Sequence, residues 1–317
     1  MKHILPLLAC ILSFCSCSSQ ESVIVEKNEI NLEDYPKLYT DSNKTTFTDK
    51  FHFLKNITVY EITYLSDGLK IQSFAAVPKN EGKHPVIIYN RGGNRDFGAL
   101  NIKTAIGRFS KLASEGYIVI GCNYRGSGKS EGMEEFGGKD VNDILNLNKV
   151  INELPEADTN RVGMYGWSRG GMMTYIALTK MNNIKAAVVG AGKSDLRTID
   201  RPEMEKKVYA ELIPDYYQNK EAELKKRSAV LWADKFSTEV PILILHGNAD
   251  WRVKSTNSLQ LALEFEKHRI PYRLKIYEGA DHGITQFRDE RDQDVLDWFN
   301  KYLKGSAELP NMEFHGR

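Results

Sequence analysis

One short stretch of the chain has the residue types and spacing of a serine nucleophile. Gly166, Ser168 and Gly170 form the pattern G-x-S-x-G, and Gly171 follows it. The apolar stretch RVGMYG before the pattern predicts a strand, and GGMMTYIALTKM after it predicts a helix. On such a sharp strand-to-helix turn the glycines avoid steric collisions, and the helix N-terminus favours negative charge. The pattern therefore predicts Ser168 as the nucleophile of a hydrolytic enzyme.

A serine hydroxyl needs a base to activate it, and the base needs an acid to orient it. His282, in EGADHGI, follows the last predicted strand, and Asp250, in LHGNADWRV, follows the strand before it. The chain order of nucleophile, acid and base is the order expected after a turn of this type. Asp281 is the rival acid, but it directly precedes His282 and is expected to point away from its ring. His246 precedes the acid, so a structural role is expected for it.

A second glycine-rich stretch, NYRGSGKSEG over residues 123–132, looks like a loop that grips phosphate. A nucleotide-binding P-loop requires G-x-x-x-x-G-K-[ST], and Asn123 stands where the first glycine is needed. Lys129 is therefore expected to be a solvated loop charge, and no nucleotide is predicted as a partner. The 43 Lys and Arg residues nearly balance the 42 Asp and Glu residues, so no basic excess points to nucleic acid. The sequence has no H-E-x-x-H or Cys/His metal pattern, and no cofactor is predicted.

The elements that must position these residues alternate between strands and helices. Residues 57–78 alternate apolar and polar side chains around Asp67 and Gly68, which predicts a two-stranded hairpin. From residue 84 onward, short all-apolar runs alternate with stretches of helical spacing, which indicates a parallel sheet covered on both faces. Ligands bind such sheets at the carboxyl ends of the strands. Cys122 lies within one apolar run and is expected to be a buried structural thiol.

The first residues have the composition of an export signal. Lys2 precedes an apolar run from Ile4 to Phe14, which is eleven residues long and shorter than the roughly 20 residues that span a bilayer. The cysteines that follow resemble a bacterial lipoprotein signal, so residues 1–17 are predicted as the signal and Cys17 as the lipidated residue. Cys10, in LLAC, is the alternative. The expected location is a membrane-anchored lipoprotein, periplasmic or on the cell surface, and the alternative is plain secretion.

Over roughly residues 57–304 the chain resembles the prolyl oligopeptidase family of α/β-hydrolases. GWSRGG is similar to the family's nucleophile motif, LHGNADWRV to its acid loop and EGADHGI to its histidine loop, and KRSAVLWADKF and YRGSGKSEG are also similar. The resemblance implies an α/β-hydrolase fold, with a mostly parallel central sheet, helices on both faces and a small helical cap at about 193–237. Many members carry a β-propeller, but residues 18–56 are fewer than one blade of about 40–45 residues. A linker or N-terminal arm is expected there instead, and residues 305–317 are expected to be a tail.

The resemblance also implies an oxyanion hole. Its first donor is expected to be the backbone N–H of Arg169, the residue after the nucleophile. Family members often place a tyrosine before the paired glycines of the loop that supplies the second donor. In this sequence Arg91 holds that position, so either its backbone N–H or the hydroxyl of Tyr89 is expected to serve. Four cap aromatics are expected either to line a pocket or to form the core of the cap: Tyr209, Tyr216, Tyr217 and Trp232.

These features together predict a serine hydrolase that works through an acyl-enzyme. Its expected partners are small-molecule esters or short peptides, with a membrane possible through the lipid anchor. Esters are expected to be cleaved faster than long peptides, because a departing amine must be protonated and needs closer positioning. The alternative is a non-catalytic surface binding protein that has kept a hydrolase fold. A complete set of Ser168, Asp250 and His282 argues against that alternative.

Overall fold

Nine strands form one sheet in the computed structural model, which describes residues 21–305 and 307–316. The strands are β1 (Ile24–Glu29), β2 (Ile57–Ser66), β3 (Leu69–Pro78), β4 (His84–Asn90), β5 (Ile118–Cys122), β6 (Ala157–Trp167), β7 (Ile184–Gly190), β8 (Ile242–Gly247) and β9 (Tyr272–Tyr277). Their order in the sheet is β1-β2-β3-β5-β4-β6-β7-β8-β9. All pairs from β5 to β9 are parallel, and the pairs from β1 to β5 are antiparallel. The predicted mostly parallel sheet is confirmed.

The antiparallel end of the sheet contains one predicted feature and one that was missed. Ser66 pairs with Leu69, and Asp67 and Gly68 between them have φ values of 51° and 81°, as a tight two-residue turn requires. The hairpin is therefore confirmed. No strand was predicted within the linker or N-terminal arm of residues 18–56, but Ile24–Glu29 of this segment adds an edge strand to β2. Its sequence IVEKNE is mostly polar, since an edge strand buries little of its surface.

Helices cover both faces of the sheet, as predicted. They are α1 (102–113, with a π-helical turn at Ala105–Phe109), α2 (Val141–Glu153), α3 (Arg169–Leu178), α4 (202–212), α5 (Tyr216–Lys226), α6 (Thr256–Lys267) and α7 (Arg288–Phe299). Helices α2, α3 and α6 pack on one face, for example through Leu147 and Phe265. Helices α1 and α7 pack on the other face, for example through Phe109 and Trp298. These two apolar layers fix the sheet whose strand ends carry the candidate site.

The connection from β7 to β8 is the helical segment predicted as a cap. It contains α4, α5 and two short 3-10 helices. Buried Arg227 ties it to the rest of the fold, because its guanidinium donates to the carbonyls of Phe136 at 2.8 Å and Glu135 at 3.0 Å. None of the helices in the described part of the chain is long and apolar enough to cross a membrane. The predicted signal, Cys10 and Cys17 lie outside the described residues.

Candidate active site

The nucleophile turn has the backbone strain that the sequence pattern predicts. Ser168 lies between β6 and α3 with φ 59° and ψ −122°, a positive-φ conformation that is rare for a residue with a side chain. A Cβ atom on Gly166 would lie 2.2 Å from the carbonyl oxygen of Gly170, and one on Gly170 would lie 1.9 Å from that of Asn90. Both positions therefore require glycine. The tight packing holds the serine at the carboxyl end of the sheet.

The predicted acid and base are brought together at the ends of the two neighbouring strands. His282 Nδ1 donates to Asp250 Oδ2 over 2.7 Å. The other carboxylate oxygen, Oδ1, accepts from the backbone N–H groups of Arg252 at 2.8 Å and Val253 at 3.1 Å. The indole of Trp167 holds the histidine loop, since its Nε1 donates to the carbonyl of His282 at 2.9 Å. Ser168 and His282 line the same cavity.

His246 has a contact that the sequence reasoning missed. Its ring is fully buried, and Nε2 donates to the carbonyl of Val253 at 2.9 Å and lies 3.3 Å from Asp250 Oδ2. Nδ1 can then accept from the hydroxyl of Ser258, which lies 2.6 Å away. The carboxylate of Asp250 is therefore contacted by two histidines. The position of His246 at the end of β8, four residues before the acid, was the available signal.

These contacts set the charge of the acid. Burial raises the pKa of Asp250, but hydrogen bonds from His246 and His282 and the nearby charge of His282 lower it by more. Its pKa therefore lies well below the usual value for aspartate, and the carboxylate is ionised at neutral pH. The rival Asp281 closes its own loop instead, since it accepts from the N–H groups of Gly283 at 3.0 Å and Thr285 at 2.9 Å.

Backbone N–H groups beside the serine could stabilise an oxyanion. Arg169 is the first residue of α3, where an N–H has no carbonyl partner within the helix. Gly92 packs directly against Ser168, because a Cβ atom on it would lie 3.3 Å from Ser168 Cβ. Gly93 lines the cavity together with Ser168. The backbone of residues 92–93 is therefore a part of this loop that approaches Ser168.

The two predicted candidates for the second donor lie elsewhere. Tyr89 is buried against Phe109 on the α1 face of the sheet, and its hydroxyl accepts from Arg108. Arg91 lies outside the lining of the cavity, and its buried guanidinium donates to the carbonyl of Arg95 at 3.0 Å. Arg91 and Tyr89 therefore do not line the cavity, whereas Gly93 of the same loop does.

The side chain of Arg169, the residue after Ser168, forms a buried ionic cluster. It donates to Glu134 and to Asp140, each over 2.5 Å, and all three side chains are almost fully buried. The same guanidinium donates to the carbonyl of Gly93 at 3.0 Å and lies over the ring of Tyr124. This side chain therefore links the loop after β4, which contains Gly93, to the loop before α2.

The cavity above Ser168 has a volume of about 270 Å³ and combines apolar with charged lining. Its larger apolar side chains are Phe97, Phe136, Met172, Met204, Tyr209 and Trp251. Of the four cap aromatics, only Tyr209 lines it. Tyr216 is buried and donates to Glu205 at 2.9 Å, Tyr217 is 70% exposed, and Trp232 stacks on Phe236.

Two other predicted residues have their expected environments. Lys129 is largely exposed and pairs with Glu61 at 2.8 Å, as expected for a solvated loop charge. Cys122 is buried in β5, and burial raises the pKa of its thiol to about 12, which suits a structural thiol. In the described residues, no group of three His, Cys, Asp or Glu side chains is arranged to hold a metal ion.

Most of this chain matches a known protein family. Residues 104–306 match the Peptidase S9 domain of the prolyl oligopeptidase family. The uncharacterized peptidase YtmA of Bacillus subtilis is 26% identical over 250 residues, which are 75% of this chain and 91% of YtmA. The uncharacterized peptidase YuxL of the same organism is 28% identical over 279 residues, which are 82% of this chain and 41% of YuxL. The match thus spans most of YtmA and less than half of YuxL.

Solved structures show the same fold. The acylaminoacyl peptidase of Pyrococcus horikoshii superposes with a TM-score of 0.69 at 24% identity, over 82% of this chain and 44% of its own. The acetyl xylan esterase of Paenibacillus sp. R4 superposes with a TM-score of 0.63 at 18% identity, over 86% of this chain and 87% of its own. At these identities the likeness concerns the fold alone. The predicted α/β-hydrolase fold is confirmed.

Proposed function

Because the chain belongs to the prolyl oligopeptidase family and is a serine hydrolase, we propose that Ser168, His282 and Asp250 are its catalytic triad. We further propose that it cleaves ester or peptide bonds of small substrates. The observation that carries the proposal is the 2.7 Å hydrogen bond from His282 Nδ1 to Asp250, together with the presence of His282 and Ser168 in the lining of one cavity.

The reaction proceeds through an acyl-enzyme. Ser168 Oγ attacks the carbonyl carbon of the substrate while His282 Nε2 accepts the hydroxyl proton. Collapse of the tetrahedral intermediate breaks the bond to the leaving group, which takes that proton from His282. Water then attacks the acyl-enzyme and gives a proton to His282, and the acid is released as Ser168 recovers its proton. Asp250 stays ionised throughout, fixes the tautomer of His282 and stabilises the imidazolium.

The oxyanion of the tetrahedral intermediate is held by backbone N–H groups. The proposed donors are those of Arg169, at the N-terminus of α3, and Gly93 in the facing loop. Support for Gly93 comes from its place in the cavity lining and from the Arg169 guanidinium, which holds its carbonyl. Donors fixed in this way need little reorganisation when negative charge develops.

The size of the cavity favours small substrates. A volume of about 270 Å³ is slightly below the range of roughly 300–1,000 Å³ for typical ligand pockets, so it fits one side chain or a short acyl group. Esters and amides pass through the same oxyanion, but a departing amine must be protonated by His282 and held in place on both sides of the bond. Small esters are therefore proposed to react faster than peptides, and short peptides faster than long ones.

A substrate panel tests the proposed function. Purified protein is assayed with para-nitrophenyl esters of increasing acyl length and with matched short peptide para-nitroanilides. We expect measurable kcat/KM values that fall with substrate size. Ser168→Ala should reduce kcat by a factor of about 10⁶. The triad proposal fails if Ser168→Ala keeps wild-type activity. The ester preference alone fails if the peptides exceed every ester in kcat/KM.

A further inference from the structure

The cavity is lined by more positively charged than negatively charged side chains. Lys193, Arg201 and Arg252 line it, and Asp200 is the acidic residue among the described lining residues. Arg169 also lines it, but its charge is matched by its buried ionic cluster. The whole chain has a net charge of only +1, so the positive charge at this cavity is a local feature.

The one acid of the lining is already paired. Asp200 lies 3.5 Å from Lys193 Nζ and 3.0 Å from Lys254 Nζ. Lys193 also donates to the carbonyl of Thr198 at 2.7 Å, which fixes the direction of its ammonium group. Asp200 is thus shared between two lysines and leaves the arginines of the lining uncompensated.

Arg201 and Arg252 flank one exposed aromatic ring. Their guanidinium carbons lie 5.1 Å and 5.5 Å from the ring centre of Trp251, which is 66% exposed. In the described part of the chain, neither guanidinium has a carboxylate within 4 Å. Cation–π contact with the indole favours these positions of the arginines without using their N–H donors, which remain available for a planar anion.

We propose that the substrate carries a carboxylate, which Arg201 and Arg252 bind beside Trp251 while the scissile carbonyl lies at Ser168. This inference rests on the proposed function, and it adds a substrate class to it. A guanidinium presents paired donors that match the two oxygens of a carboxylate, and such charge-assisted hydrogen bonds are stronger than neutral ones. The apolar lining then receives the uncharged part of the same substrate.

Two matched substrate pairs test the proposal in the wild-type protein. The first pair is the para-nitrophenyl half-ester of adipic acid and its methyl ester, which place the charge in the acyl part. The second is the acetyl ester of para-hydroxybenzoic acid and that of its methyl ester, which place the charge in the leaving group. Each kcat/KM is divided by the uncatalysed hydrolysis rate. We expect the anion to be preferred about tenfold or more in one pair, and the preference to fall as salt is added.

Variants locate the preference. Arg201→Met and Arg252→Met should each reduce the anion-to-neutral ratio about fivefold or more, and Arg201→Lys should reduce it less because it keeps the charge. Lys206→Met makes the same charge change at an exposed position on the cap and should leave the ratio unchanged. The proposal is overturned if neither pair shows a preference for the anion, or if the arginine variants keep the wild-type ratio. Activity on the neutral esters that disappears in Ser168→Ala would leave the proposed function standing in either case.

Discussion

The carboxylate of Asp250 is contacted by four partners in the candidate site. Two backbone N–H groups bind Oδ1, and the rings of His282 and His246 lie against Oδ2. A group held in this way can orient a histidine without moving during the reaction. We expect Asp250→Asn to lower kcat about 10⁴-fold, because the tautomer of His282 is no longer fixed. Asp281→Asn, one residue from the same histidine, is the control and should stay within a few-fold of wild type.

Kinetics with a small para-nitrophenyl ester measures both variants. A normal rate for Asp250→Asn together with an inactive Asp281→Asn would reassign the acid. Circular dichroism spectra of the two variants check that the fold is kept.

His246 makes a separate prediction about stability and pH. The pKa of Asp250 is lowered on folding, so its ionised form stabilises the fold above the ordinary aspartate value of about 3.9, and that stabilisation is lost as pH falls through the lower folded value. Replacing His246 with Phe removes one of the groups that lower this pKa. The variant should therefore lose less stability than wild type between about pH 5 and about pH 2.

Urea unfolding across that pH range measures the effect as a difference between the two curves. Ser258→Ala, which removes only the outer partner of His246, should give a curve closer to wild type. Parallel curves for His246→Phe and wild type would show that His246 does not act on the charge of Asp250.

The three residues of the proposed triad could be predicted from their motifs, their chain order and their places after predicted strands. The contact of His246 with Asp250 was missed, because the position of His246 four residues before the acid does not by itself fix which way its ring turns. The second oxyanion donor was predicted at Arg91 or Tyr89. Alternation of side chains along β4 places the Tyr89 ring in the apolar layer covered by α1 and α7, so its hydroxyl does not line the cavity. The position of a single side chain in a tight loop depends on its packing in the fold, which a sequence pattern does not specify.

Among the secondary-structure elements, the Arg169 side chain links the loop after β4 to the loop before α2. Removing it leaves Glu134 and Asp140 buried without this partner. We expect Arg169→Met to lower the free energy of unfolding by about 3–5 kcal/mol, measured by urea denaturation. Adding Asp140→Asn should restore part of the loss, because one unpaired buried charge is then removed.

An exposed ion pair provides the control for this prediction. Lys225 and Glu221 lie 2.5 Å apart on the surface of α5. Lys225→Met should cost no more than about 0.5 kcal/mol. Equal effects of Lys225→Met and Arg169→Met would mean that the buried cluster has no special role in stability.

Elements with strong periodicity could be predicted, and weakly apolar ones could not. The all-apolar runs of β4 to β8 and the hairpin of β2 and β3 carry their own signals. Strand β1 does not, because its pairing with β2 is made through the backbone and its side chains are largely exposed. Its place at the edge of the sheet is a consequence of tertiary structure.

At the scale of the whole molecule, the predicted export signal remains a proposal about location. If Cys17 carries lipid, the mature protein is held on a membrane by that anchor. Cys17→Ala should then move the protein from the membrane fraction to the soluble fraction, and Cys10→Ala should not. Fractionation with immunoblotting measures the partition. Membrane association that Cys17→Ala leaves unchanged would contradict the assignment.

The composition of the cavity also depends on the whole fold. Arg201 comes from the cap, Trp251 and Arg252 from the acid loop, and Gly93 from the loop after β4. These segments are far apart in sequence, so their shared cavity and its excess of positive charge follow from the fold. The sequence motifs predicted a serine hydrolase, whereas the positive charge that favours a carboxylate substrate becomes visible only in the folded chain.

Covalent labelling tests whether Ser168 is the activated nucleophile. A fluorophosphonate probe reacts with a serine whose hydroxyl is activated by a neighbouring base and whose oxyanion is stabilised. Peptide mass spectrometry after labelling should find one adduct, on Ser168, which is absent from Ser168→Ala and strongly reduced in Asp250→Asn. No adduct on folded wild-type protein, or an adduct on a different serine, would rule out Ser168 as the nucleophile.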